Sequence, residues 1–130
     1  LRTKSAILLD MTAMIKRSKS AALLVLDDPA DALLVADTLW VIRGGKLVQS
    51  GTPNAIIADP AHYEIAGLFD YINVVPVDLN VPGPWREEKD VKWLYAHDLP
   101  ALDTEILDRM ETPSGPILVY QFQNHRLLKK

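Results

Sequence analysis

The run Ala22-Leu23-Leu24-Val25-Leu26 limits the fold more than any other stretch of the chain. Five apolar residues in succession leave no polar face, so they suit a strand buried on both sides, as in a parallel sheet covered by helices. The flanking sequence supplies helices. Thr3 to Arg17 reads as an amphipathic helix, with Ile7, Met11, Met14 and Ile15 at i, i+4, i+7 and i+8 on one face. Ser18-Lys19-Ser20 is a polar break after it.

The run ends in Asp27-Asp28-Pro29. Asp28 as N-cap, Pro29 at the first helical position and Asp31 in the first turn together mark a helix start, with the helix expected to reach about Thr38. Capping does not account for Asp27. At the carboxyl end of a strand it would stand where open α/β sheets bind ligands, which makes it a candidate functional carboxylate. The same capping device recurs. Thr52-Pro53 opens a short helix through Ile57, and Asp59-Pro60 opens another through about Phe69. Between them, Leu39 to Arg43 and Lys46 to Ser50 are β-rich and separated by Gly44-Gly45, the mark of a tight hairpin with positive φ at its turn. Gly51 ends the second strand.

Composition excludes several classes. With 130 residues, 48% hydrophobic and 24% charged, the chain is globular and long enough for one domain, or for a partial domain plus a small second one. A net charge of −3 leaves no nucleic-acid footprint. The absence of cysteine removes disulfides, thiolate metal sites and cysteine nucleophiles. No apolar run approaches the ~20 residues that span a bilayer, and no signal peptide is visible. Because the first residue is Leu1, the chain is expected to be a fragment or a processed product. His62, His97 and His125 are far apart and show no metal-ligand spacing, so packing or surface roles are expected for them and no metal site.

From Tyr71 onward the character changes. Pro76, Pro82, Pro84, Pro100, Pro113 and Pro116 divide this part into short pieces. Val91 to Ala96 and Ile117 to Gln123 read as strands, and Thr104 to Met110 as a strand or one helical turn. Trp40 and Trp93 are expected in the core, and Trp85 over the joint between the two parts. Arg126 to Lys130 is a short basic end, expected to fray.

Residues 22 to 76 resemble the last part of an ABC transporter ATP-binding subunit, of the importer type that carries a C-terminal regulatory β-module. The resemblance rests on Leu26-Asp27-Asp28, Asp31-Ala32, Ala36-Asp37, Gly45-Lys46-Leu47-Val48-Gln49-Ser50-Gly51-Thr52-Pro53, Asp59-Pro60-Ala61 and Asn73-Val74-Val75-Pro76, in that order and nearly without gaps. Leu1-Arg2 also suits the point just after the family's D-loop. The implied fold is α/β. Residues 1–71 would be the C-terminal remnant of a P-loop-type ABC ATPase domain, as helix, buried strand, helix, β-hairpin and two short helices. Residues 72–130 would be a small, reduced β-rich module of the OB or TOBE kind, with Tyr95-Ala96-His97-Asp98-Leu99 standing where that module often has Arg-Pro-Glu-Asp-Leu.

The resemblance implies ATP-driven solute import for a parent protein, with ATP and magnesium as its cofactors. It also implies a transmembrane permease and a second ATPase subunit as partners, homodimerisation, and a cytoplasmic place at the inner face of the membrane without insertion. These 130 residues contain no Gly-x-x-x-x-Gly-Lys-Ser/Thr loop, no Leu-Ser-Gly-Gly-Gln and no Asp-Glu pair for magnesium, so they are not expected to bind or hydrolyse ATP alone. Gly44-Gly45-Lys46 sits at a hairpin tip and is no phosphate loop.

One departure touches chemistry. The family's switch-loop histidine, which contacts the γ-phosphate, aligns with Asp27. An ionised aspartate cannot donate a hydrogen bond to phosphate, and like charges ~4 Å apart at an effective dielectric of ~20 cost on the order of 4 kcal/mol. Two alternatives stand beside this reading. Leu23 to Pro29 also resembles the opening of a response-regulator receiver, whose acidic pair binds magnesium, with Asp78 in its phosphoacceptor stretch. The Gly-Gly hairpin and Gly51-Thr52-Pro53 fit no receiver element. An autonomous regulatory or dimerisation module is the other.

Overall fold

The computed structural model describes residues 3–130. They form two compact units, one ending at Ala61 and the other comprising His62–Lys130. The architecture is mixed α/β, and every described sheet is antiparallel.

The first unit opens with α1 (Lys4–Arg17), started by Thr3, whose Oγ1 accepts from the Ala6 amide at 3.1 Å. Lys16 and Arg17 lie in its last turn, where cations offset the carbonyl end of the helix dipole. Helix α2 (Pro29–Val35) is capped by Asp28, whose Oδ1 accepts from the Ala30 amide at 2.9 Å. It stops short of Thr38 because Ala36 turns extended (φ −82°, ψ 136°) and leads the chain into β1 (Leu39–Arg43). Strand β1 pairs with β2 (Lys46–Gly51) through Gly44 and Gly45, both at positive φ (56° and 73°), the backbone that a two-residue turn of this hand requires. Helix α3 (Pro53–Ala58) is capped by Thr52 and buries Ile56.

Two expectations fail here. Ala22 to Leu26 is not a strand, and it is not buried: Leu23 is 75% and Val25 94% exposed. A strand exists only through its ladder, and the unit's two described strands pair with each other and leave this run without one. Trp40 is no core residue either, standing 60% exposed on β1.

Nor does a helix start at Asp59-Pro60. The Asp59 amide closes α3 on Ala55 at 3.1 Å, and Gln49 takes up the Asp59 carbonyl and the Ala61 amide. The next helix, α4 (Tyr63–Phe69), therefore begins later, with His62 as its cap.

The second unit adds two three-stranded sheets to α4. Strands β3 (Ile72–Pro76), β4 (Arg86–Glu88) and β5 (Val91–Tyr95) run in the order β3-β5-β4. Strands β6 (Ile106–Thr112), β7 (Gly115–Phe122) and β8 (His125–Lys129) form the second sheet in chain order. Val75, Leu79, Val81, Leu94, Leu99, Tyr120 and Leu127 make one core drawn from both sheets. Trp93 is buried as expected, and Trp85 packs against that core with its indole N–H donating to the Pro82 carbonyl at 3.2 Å.

The two sheets are stapled by one side chain. Buried Asn73 on β3 donates through Nδ2 to the Leu128 carbonyl at 2.8 Å and accepts the Leu128 amide on Oδ1 at 2.7 Å. The basic end thus does not fray. It forms β8, because Leu127 fills the core and Asn73 satisfies the outward backbone of its neighbour.

Candidate functional site

The candidate site is the acidic turn after the apolar run. Its three aspartates have three different environments. Asp28 is occupied in capping α2. Asp31, one turn on, is buried, and its Oδ2 lies 2.9 Å from the Lys4 ammonium of α1. Asp27 has a side chain 97% exposed, with Oδ1 3.8 Å from the same ammonium.

Lys4 thus ties the start of α1 to the turn. The hydrogen bond to Asp31 and that residue's charge hold the ammonium above the usual lysine range, with smaller help from Asp27 and Asp28. Sequence reasoning gave Asp31 only a place in the first turn of a helix. Its ion pair was not legible, because Lys4 is far away along the chain.

Beside the turn lies an open groove of about 1050 Å³. Ile15 of α1, Leu24 and Leu26 of the apolar run, Val35 of α2, and Leu39 and Trp40 of β1 contribute its apolar lining. Thr12, Lys16, Ser20, Asp37 and Thr38 add polar groups to the lining, with Lys16 Nζ 3.9 Å from Asp37 Oδ1. Asp27 can accept hydrogen bonds or repel an anion, and Lys4 is the cation near enough to moderate it.

The other candidate residues do not join this turn. Asp78 lies exposed in the turn after β3, in the second unit, so a receiver-type acidic site is not assembled within either unit. His62 pairs with Glu88 at 2.7 Å. His97 stacks on Tyr95, with ring centroids 5.2 Å apart, and lies 3.7 Å from Asp70. His125 opens β8 opposite Phe122. Among the described residues no group of three or more His, Asp or Glu side chains is arranged to hold a metal ion. Among them, too, no helix is long and apolar enough to cross a membrane.

The chain is 35% identical over 77 residues to the sn-glycerol-3-phosphate import ATP-binding protein UgpC of Cupriavidus metallidurans, covering 58% of this chain and 21% of that protein. It is 36% identical over 58 residues to the Fe(3+) ions import ATP-binding protein FbpC of Rhizobium etli, covering 45% and 16%. It is 41% identical over 51 residues to the glucose import ATP-binding protein GlcV of Saccharolobus solfataricus, covering 39% and 14%.

The chain is related to the ATP-binding subunits of ABC importers. It spans about a fifth of the length of the first of these relatives. No protein-family model matches it. As a part-length relative of importer subunits, it presents the acidic turn and the hairpin side by side in sequence, with Asp27 facing solvent.

Proposed function

We propose that this chain is the C-terminal part of an ABC importer's ATP-binding subunit, residues 1–71 belonging to the ATPase domain and residues 72–130 forming a small regulatory and dimerisation module. The ordered series from Asp27-Asp28 through Gly51-Thr52-Pro53 to Asn73-Val74-Val75-Pro76, in a chain related to import ATP-binding proteins, carries this reading. The capped helices and Gly-Gly hairpin of the first unit and the two small antiparallel sheets of the second support it.

In the complete subunit, ATP and magnesium are the cofactors, a membrane permease and a second ATPase subunit are the partners, and the protein sits at the inner face of the membrane. The relatives' names carry three different cargoes, so the cargo is not set by this stretch. Asp27 takes the place of the histidine that meets the γ-phosphate. Its exposed carboxylate, with Lys4 3.8 Å away, slows turnover by repulsion.

Two measurements test the reading. Calorimetric titration of this chain with ATP-magnesium should show no binding, since it contains no phosphate loop; micromolar affinity would overturn that part. In the complete subunit, Asp27→His should raise ATP turnover. An unchanged or lower rate would mean that the site is built around the carboxylate.

A further inference from the structure

Strand β6 is the outer strand of its sheet, and among the described residues no strand pairs with its far side. The ladder tells which backbone groups face that side. Antiparallel pairs alternate between those that exchange two hydrogen bonds and those that exchange none. Glu111 stands opposite Pro116, which has no N–H, so this pair is of the second kind. By alternation the Arg109 pair is too, and Met110 bonds to β7 between them. The N–H and C=O groups of Arg109 and Glu111 therefore point to the open side. The Arg109 amide bears this out, since the adjacent Asp108 carboxylate accepts it at 2.7 Å.

An open edge is a template for another strand, and proteins commonly guard such edges with charge. Here the charges are of both signs. Arg109 and Glu111 are exposed, lie on one face of the strand and pair with each other at 2.8 Å. Their order is self-complementary. Let a second copy of β6 lie antiparallel, with Met110 opposite its own counterpart. Arg109 then falls opposite the partner's Glu111 on both sides of the centre, and Asp108 falls opposite neutral Thr112. The same register brings the outward backbone of Arg109 to that of Glu111, in pairs that exchange two hydrogen bonds. Sliding the copy by two residues either way sets Arg109 against Arg109 or Glu111 against Glu111, which like charges disfavour. The bulge between Ile106 and Asp108 takes Leu107 out of the ladder, so the pairing stretch is 108–112.

We infer that β6 docks a second copy of this chain, the two strands pairing antiparallel about Met110 in that register. The inference rests on the dimerisation reading of residues 72–130 and narrows it to one edge.

Analytical ultracentrifugation of the full chain, at low salt and up to millimolar concentration, tests it. The native chain should dimerise. Arg109→Glu sets Glu against Glu, and Glu111→Arg sets Arg against Arg, so each should weaken the dimer about ten-fold. Mixed in equal amounts, the two variants should form a heterodimer of native strength, because every cross-strand contact then joins opposite charges. A native dimer that neither reversal weakens, or a mixture without recovery, overturns the β6 contact and leaves dimerisation to another surface. A native chain that stays monomeric throughout overturns the contact and the dimerisation reading together.

Discussion

Removing the Asn73 carboxamide should unfasten the two sheets of the second unit. The side chain is 4% exposed and makes two hydrogen bonds to Leu128, at 2.8 and 2.7 Å. Both backbone groups of Leu128 point away from β7, so no ladder can take them over. Asn73→Ala leaves one amide and one carbonyl without partners. At about 1–2 kcal/mol for each half-buried group, the loss is about 2–4 kcal/mol. For a unit of this size that lowers the melting temperature by roughly 8–32 °C.

Fluorescence during heating, with the first unit's Trp40 replaced by Phe, reports this unit through Trp85 and buried Trp93. Asn73→Asp sharpens the test. An ionised carboxylate still accepts the Leu128 amide but turns its second oxygen against the Leu128 carbonyl. Protonated, it regains one donor and one acceptor in the same places. Its folded-state pKa is thus raised, so stability from the carboxyl is fully present below the unfolded value of about 3.9 and is lost as pH rises through the folded one. Asn73→Asp should therefore gain stability relative to Asn73→Ala on acidification. A fall of less than about 3 °C in Asn73→Ala, or the absence of acid rescue, would refute the staple.

Gly83 has φ +139°, and an added Cβ would lie 3.0 Å from Leu94 Cδ2, 3.1 Å from Trp85 Nε1 and 3.2 Å from Pro100 Cδ. Gly83→Ala should cost about 1–3 kcal/mol through overpacking and backbone strain, seen as a lower urea midpoint at unchanged m-value. Burial raises the Tyr95 phenol above its ordinary range, opposed by Arg86 and reinforced by Asp70 and Asp98. A raised folded pKa means that its contribution is complete below about pH 10 and is lost as pH rises beyond, so unfolding free energy should fall more steeply from pH 9 to 11 in the native chain than in Tyr95→Phe. Removal of α2's cap by Asp28→Ala should cost about 1 kcal/mol, measured by denaturant unfolding of the first unit.

Local chemistry was legible from the sequence because it needs only neighbours. Thr3, Asp28 and Thr52 each accept an amide two or three residues on, and Gly44-Gly45 supplies the positive φ that its turn requires, so these starts and this hairpin lie where the residues placed them. The Asn73-x-x-Pro76 stretch could be recognised as a motif, but the reason for its asparagine lies 55 residues away at Leu128 and was invisible until the sheets met. The same distance problem hid the Lys4–Asp31 pair and turned the basic tail into β8. The apolar run Ala22 to Leu26 was misread in the opposite direction. Its composition suits a doubly buried strand, but burial and laddering are properties of partners, and the described part of its unit provides none. Asp27 consequently follows an exposed segment without a ladder, where the sequence alone had set it at the end of a strand.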